Sequence, residues 1–228
     1  MAHSDNFHQG VGLDLHARTT IKEYYSFIET AALRVGDYTM EFHPDHVSLN
    51  GVLYIPADLP ITFGEEYIYT ISNVEVGEEK DSSKRQYYKV DLHEESSIVF
   101  KFYRKYLTIN ISGNEGDFGD SVGLLGEYGT GNMISRDGRV MDNFDNFAFE
   151  WQVNREDPVI FSNERSPQLP YERCRLPTIA KPQRSLLRKE KDLVAKANKA
   201  CSHVSSGSFD LCVDDILQTG DLGLAAEW

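Results

Sequence analysis

Between positions 115 and 145 the chain gathers oxygen donors among glycines: Glu115, Asp117, Asp120, Glu127, Asn132, Asp137, Asp142 and Asp145. Carboxylates and amides at this density suit a hard cation such as Ca²⁺, which takes about six to eight oxygens. The even spacing and terminal glutamate of an EF-hand are absent, and the plainer reading makes these acids ordinary turn residues. Three cysteines, Cys174, Cys201 and Cys212, allow one disulfide and leave a thiol over. Cys201 and Cys212 fall on the apolar faces of two adjacent predicted helices, so they form a plausible bridge. Reduced core cysteines are the alternative, and Cys174 could pair with either. Asn110-Ile111-Ser112 fits an N-glycosylation acceptor, and strand alternation turns Asn110 outward.

Signs of catalysis are sparse. His16, His43, His46 and His93 are scattered over strand-like segments, with no Gly-x-Ser-x-Gly elbow, His-Glu-x-x-His helix or phosphate-binding glycine loop. Lone histidines of this kind read as surface or hydrogen-bonded residues. Glu65-Glu66 and Glu94-Glu95 are adjacent, so on a strand each pair points to opposite faces. The expectation is a protein that is not an enzyme and has no catalytic residues.

The elements that must carry these groups are mainly strands. Val11, Leu13, Leu15 and Ala17 alternate with Gly12, Asp14, His16 and Arg18, the period of a half-buried strand. Further strands are predicted over 25–35, 38–42, 47–49, 52–55, 67–74, 87–92, 98–103 and 106–111. Asn50-Gly51 is a strong hairpin signal, because both central residues of a type I′ turn need positive φ. In the last predicted strand Leu107, Ile109 and Ile111 face inward. Short strands parted by polar turns such as 77–83 predict an antiparallel β-sandwich. From 157 to 183 prolines break every period, which predicts a linker or a wrapping strap. Apolar residues then recur at helical spacing over 185–204 and 208–218, with Thr219-Gly220-Asp221 able to stop the second helix and cap a short final turn. This is a helical hairpin expected to bury Leu193, Ala197, Cys201, Phe209, Val213 and Ile216.

Composition narrows the class of partner. The 228 residues carry 23 Lys and Arg against 36 Asp and Glu, a formal net charge of -13. Binding nucleic acid takes a basic surface, so no nucleic-acid partner is expected. No apolar run approaches the roughly 18 residues that span a bilayer, so no direct membrane insertion is expected.

Two strings carry a resemblance. Gly123-Leu124-Leu125-Gly126-Glu127-Tyr128, followed about twenty residues on by Phe144-Asp145-Asn146-Phe147-Ala148-Phe149-Glu150-Trp151-Gln152-Val153, resembles the carboxy-terminal half of a von Willebrand factor type D domain. That family has Gly-Leu-Cys-Gly-Asn-Tyr in the first string and closes on a strand ending Phe-Gly-x-x-Trp-x-Val. The resemblance is strongest over 105–153. It implies a mainly β, antiparallel sandwich over 1–157, a proline-rich linker or strap over 158–182, and a cysteine-poor helical module over 183–228. It implies a closing strand with Phe147, Phe149 and Trp151 on one face. It also implies Ca²⁺ held by Glu127 and Asn132, in an incomplete shell that binds weakly. Leu125 stands where some relatives carry a reactive cysteine, which removes thiol exchange.

The function implied is a non-enzymatic structural or adhesive module of an extracellular or cell-surface protein, calcium-stabilised, with other extracellular proteins or glycans as partners. The oligomeric state stays open. Rival readings are a secreted lipid- or ligand-carrying module and a hydrolase whose site the sequence hides. The amino terminus lacks a secretory signal, and the family's opening Gly-Asp-Pro-His segment and Phe-Asp-Gly turn are missing, so the chain reads as an amino-terminally truncated piece of a longer secreted or membrane-anchored protein.

Overall fold

A computed structural model describes residues 1–5, 7–22, 25–75, 85–93, 95–124, 126–154, 156–163, 189–206 and 208–228. Its frame is a pair of antiparallel sheets. The first has seven strands in the order β12-β1-β2-β3-β4-β5-β6 and the second five, in the order β11-β10-β9-β8-β7. In chain order the strands are β1 (Ala2–Ser4), β2 (Leu13–Lys22), β3 (Tyr25–Val35), β4 (Tyr38–Phe42), β5 (Val47–Leu49), β6 (Val52–Tyr54), β7 (Ile61–Phe63), β8 (Tyr69–Val74), β9 (Arg85–His93), β10 (Ser96–Tyr103), β11 (Tyr106–Ser112) and β12 (Val122–Gly123). Between β1 and β2 lies the tight turn α1 (Phe7–Gly10), with His8 and Gln9 at φ 48° and 58°.

The two sheets close on one core because strand alternation gives each an apolar face. The first sheet contributes Leu13, Leu15, Ala31, Leu33, Val35, Met40 and Phe42, and the second Tyr69, Ile71, Tyr88, Val90, Leu92, Ile98, Phe100 and Phe102. Phe42 and Phe100 stack with centroids 3.7 Å apart. The register follows the turns: Asn50 and Gly51 sit at φ 48° and 82°, which pairs Leu49 with Val52. In β11, Leu107 is buried, Ile109 and Ile111 are packed against the core, and Asn110 is exposed, as the alternation predicts.

The outer face of the seven-stranded sheet departs from the expected pattern. Asp14, His16, Ala32 and Glu41 lie on the strand faces opposite the core residues, yet all four are buried. The chain beyond Trp151 reaches this face at Glu41 and Arg18, while His3 and Arg34 close over Asp14. Ser162 N–H donates to Glu41 Oε1 at 2.6 Å, Arg18 donates to the Asn163 carbonyl at 2.7 Å, and the Arg18 guanidinium lies 4.1 Å from the Phe161 ring centre. Ile160 is buried beneath this path. Of the proline-rich stretch, 158–163 is described and touches this face, whereas its remainder and Cys174 lie outside the described residues, as do most of 77–85 and Leu125.

The expected closing strand is a helix. Residues Phe144–Glu150 form α3, with Asn143 as the N-cap, its side-chain oxygen accepting from Asn146 N–H at 2.9 Å. Phe147 and Trp151 are both buried, while Phe149 is half-buried. Phe147 and Trp151 are spaced i and i+4, so a helix aligns them on one face as readily as a strand aligns i, i+2 and i+4. The Phe147 and Trp151 pair fits both periods, and the Asn143 cap favours the helix. Ahead of it lies the one-turn helix α2 (Glu115–Phe118).

At the carboxy end, α4 (Lys189–Ala200) runs into a 3-10 turn and α5 (Phe209–Thr219) follows. Ala197, Cys201, Cys212, Val213 and Ile216 are buried between them, with Leu193 and Phe209 partly so. Gly220 at φ 73° ends α5, and the Asp221 side chain caps the final 3-10 turn Leu222–Glu227 by accepting from Gly223 N–H. Among the described residues no helix is long and apolar enough to cross a membrane.

Candidate functional site

The loop region from 113 to 151 gives the first sheet its edge strand β12 beside β1, and its glycines and aromatics set its path. Gly113 passes so close to Ser96 and Phe118 that an added Cβ would lie 2.4 Å from Ser96 Oγ. Tyr128 donates its hydroxyl to the Gly113 carbonyl at 2.6 Å and packs against Phe118, which in turn meets Phe7. Gly123 pairs with Ala2 at φ 140°, where a side chain would meet the Met1 carbonyl. Trp151 donates its indole N–H to the Ile134 carbonyl at 2.7 Å, and the Arg136 guanidinium lies over the indole while pairing with Asp157 at 2.6 and 2.9 Å. Gly123, Tyr128 and Trp151 thus each fix one point along the seam where this loop meets the sandwich and folds on itself.

Within this seam the two proposed calcium ligands meet. Glu127 N–H donates to the Asn132 carbonyl at 2.9 Å, and Gly131 N–H returns to the Glu127 carbonyl at 2.8 Å. Glu127 Oε2 accepts from the Thr130 hydroxyl at 2.5 Å and from the Asn132 amide at 3.4 Å. The loop is self-contained: its carboxylate already has donors, and Asn132 turns its NH₂ rather than its oxygen towards Glu127.

The other acids are dispersed. The Asp117 carboxylate accepts from the Ser96 hydroxyl and from Asn114 Nδ2 at 3.0 Å, while the Asp117 backbone N–H donates to Asn114 Oδ1 at 2.9 Å. Burial opposes the Asp117 charge, but the Ser96 hydrogen bond and His93 outweigh it and hold the carboxyl below its ordinary range. Asp120 accepts the Ser4 hydroxyl at 2.6 Å. Asp137 is drawn down to about 2, first by its bond from Arg139 and then by Ser135. Glu115, Asp142 and Asp145 are exposed. Among the described residues no three His, Cys, Asp or Glu side chains converge as a metal set.

One serine, histidine and aspartate do come together, in an order that does not relay a proton. Ser96 and His93 both contact Asp117 Oδ2, so the carboxylate stands between the hydroxyl and the imidazole. A nucleophile needs the imidazole in the middle.

Cys201 and Cys212 form the disulfide, with Cα atoms 6.0 Å apart. The loop it closes is short, and a bridge of that length contributes about 3 kcal/mol in the chain-entropy account. Sequence reasoning missed how the final turn docks. Arg85 Nε donates to Glu227 Oε1 at 2.8 Å, with the two side chains 3% and 2% exposed. The Tyr87 hydroxyl donates to Glu227 Oε2 at 2.7 Å, and Arg85 Nη2 to the Gly223 carbonyl at 3.2 Å. Burial, then the Glu227 hydrogen bond and charge, raise the Tyr87 phenol well above its ordinary value. Tyr103 of β10 completes the core of the helical pair. Nothing in the local sequence pairs a β9 arginine with a glutamate 142 positions on.

His16 departs from the surface or hydrogen-bonded histidine expected. It is buried, and among the described residues its Nε2 has no hydrogen-bond partner. Burial first, then the amino-terminal charge, lower its pKa to about 4 against the pull of Asp14 and Asp157. On the same face Asp14 bridges His3 at 2.7 Å and Arg34 at 2.9 Å.

The chain matches no protein-family model and no curated protein.

Proposed function

We propose that this chain is a non-catalytic structural or adhesive module of the von Willebrand factor type D kind, working outside the cell or on its surface and binding other extracellular proteins or glycans. The observation that carries the reading is the seam. Of the family-like strings, Gly123 approaches the Met1 and Ala2 backbone, Gly126 approaches Gly131 and Asn132 within the loop, and Tyr128 and Trp151 donate partly buried hydrogen bonds to the Gly113 and Ile134 carbonyls. Two packed sheets of seven and five strands suit a module that presents surface rather than a cleft. The Cys201–Cys212 disulfide is compatible with an oxidising compartment, where such bonds persist.

The same reading gives Ca²⁺ to the Glu127–Asn132 loop. The described residues offer it the Glu127 carboxylate, the Thr130 hydroxyl and, after a turn of the amide, the Asn132 oxygen. This falls short of the six to eight oxygens a calcium ion takes, so the fit is partial, water completes the shell and binding is weak.

The test has two parts. Protein produced in its native cells should be reached by a membrane-impermeant biotin reagent or recovered in the medium, with Cys201 and Cys212 protected from alkylation until reduced. Recovery only in the cytosol, with both thiols free, would refute the extracellular role. For the ion, added Ca²⁺ should raise the melting temperature of the wild type, by mass action on the folded state, and leave Glu127→Ala unmoved. Equal shifts in both, or none, remove the site.

A further inference from the structure

We propose that Asn110 accepts an N-linked glycan when the chain passes through the secretory lumen, a modification that rests on the extracellular reading. Asn110-Ile111-Ser112 is the only Asn-x-Ser/Thr string in the sequence. Its position in the fold is what makes it an acceptor. It lies in β11, which among the described residues pairs with β10 alone and forms one edge of the five-stranded sheet. Leu107, Ile109 and Ile111 take the inward face of this strand, so Thr108, Asn110 and Ser112 take the outward one. Asn110 and Ser112 are both exposed. The Asn110 carboxamide has no hydrogen-bond partner among the described residues, so a glycan there displaces no native contact. The other asparagines in this part of the chain are occupied: Asn114 and Asn143 as helix caps, and Asn132 within the Glu127 loop.

The chemistry is a transfer from a lipid-pyrophosphate-linked oligosaccharide, the donor class of that compartment. The Asn110 amide nitrogen bonds to the sugar's anomeric carbon as the carbon–oxygen bond to pyrophosphate breaks. The lipid pyrophosphate leaves with the electron pair, and the amide proton passes to a base of the transferase. No oxidant or reductant is needed.

A glycan here would also answer a weakness of the edge. An unpaired strand edge invites pairing with another chain, and proteins blunt it with charge, proline or cover. Thr108, Asn110 and Ser112 bring neither charge nor proline to the outward face of β11. A hydrated sugar supplies the cover.

The full chain, given a cleavable signal for entry to the endoplasmic reticulum, is expressed in glycosylating cells, and the protease-protected lumenal pool is scored. The wild type should lose the mass of one glycan on treatment with peptide-N-glycosidase, with Asn110 converted to aspartate. Asn110→Gln and Ser112→Ala should migrate with the deglycosylated form, and Ser112→Thr should keep the glycan. Asn110→Gln should melt at the temperature of the deglycosylated wild type, since the side chain has no packing to lose. An unmodified wild type in the lumenal pool, or a glycan that survives Asn110→Gln, overturns the proposal. Forced entry separates this result from the extracellular reading, which the location of the protein made without the added signal tests by itself.

Discussion

Replacing Glu227 by alanine should loosen the carboxy-terminal turn from the sandwich and lower the stability of the whole. The Arg85 and Glu227 side chains are 3% and 2% exposed, so the guanidinium left behind would be a charge with almost no water around it. Breaking one side of such a buried pair costs about 3–5 kcal/mol, a figure dominated by the stranded partner rather than by the pair's net worth. The Tyr87 hydroxyl loses its acceptor in the same step, while the Arg85 bond to the Gly223 carbonyl remains. For a chain of this length each kcal/mol moves the melting temperature by about 2–4 °C, so a drop of about 6–20 °C is expected if the protein unfolds as a unit. Thermal and urea melts followed by circular dichroism measure it. Hydrogen exchange would show whether 209–228 opens ahead of the sheets. The double variant Arg85→Met with Glu227→Met should recover much of the loss, because it removes both charges and leaves neither stranded. A fall of less than about 2 °C for Glu227→Ala, or strictly additive single and double variants, would refute the coupling.

Stability should also fall with acid through His16. Its pKa is lowered from 6.5 to about 4 in the folded protein, so the unfolded chain takes up the proton first. The neutral, buried imidazole is therefore no liability above about pH 6.5, and stability is lost as the pH falls from there to about 4, by roughly 3 kcal/mol at most. Denaturant melts across that window should give a slope that His16→Leu flattens, and an unchanged slope would refute the assignment. His3 works with the opposite sign: its bond to Asp14, working against burial, raises its pKa, so its contribution is present at low pH and fades as the pH rises. The difference between wild type and His16→Leu isolates one from the other. Asn143→Ala should cost about 1 kcal/mol by removing the cap of α3, and Asn143→Asp should retain most of it. Equal melting temperatures for Asn143→Ala and wild type would argue that residues 144–150 do not depend on a capped helix.

Much of the frame was legible in the sequence because the forces that set it are local. Alternation in β2, β3, β4 and β9 to β11 specifies which side chains turn inward, and Asn50-Gly51 specifies a hairpin because few other dipeptides tolerate positive φ at both positions. Gly220, Asp221 and the helical spacing around Cys201 and Cys212 place the final helices and bring the two thiols within bridging distance. Aromatic spacing alone did not separate strand from helix at 144–150, since Phe147 and Trp151 share a face in both. What only the tertiary structure decided is contact between distant segments. A strand's outer face reads as solvent-exposed until another segment lies across it; the chain beyond Trp151 does so at Glu41, and Asp14 and His16 on the same face are buried as well. The calcium candidates Glu127 and Asn132 are neighbours by loop closure, but whether their oxygens face an ion or each other's donors depends on side-chain rotation that no spacing encodes. Arg85 and Glu227 became partners because the last turn docks on β9, a match of charge and burial across 142 positions that local periodicity carries no information about.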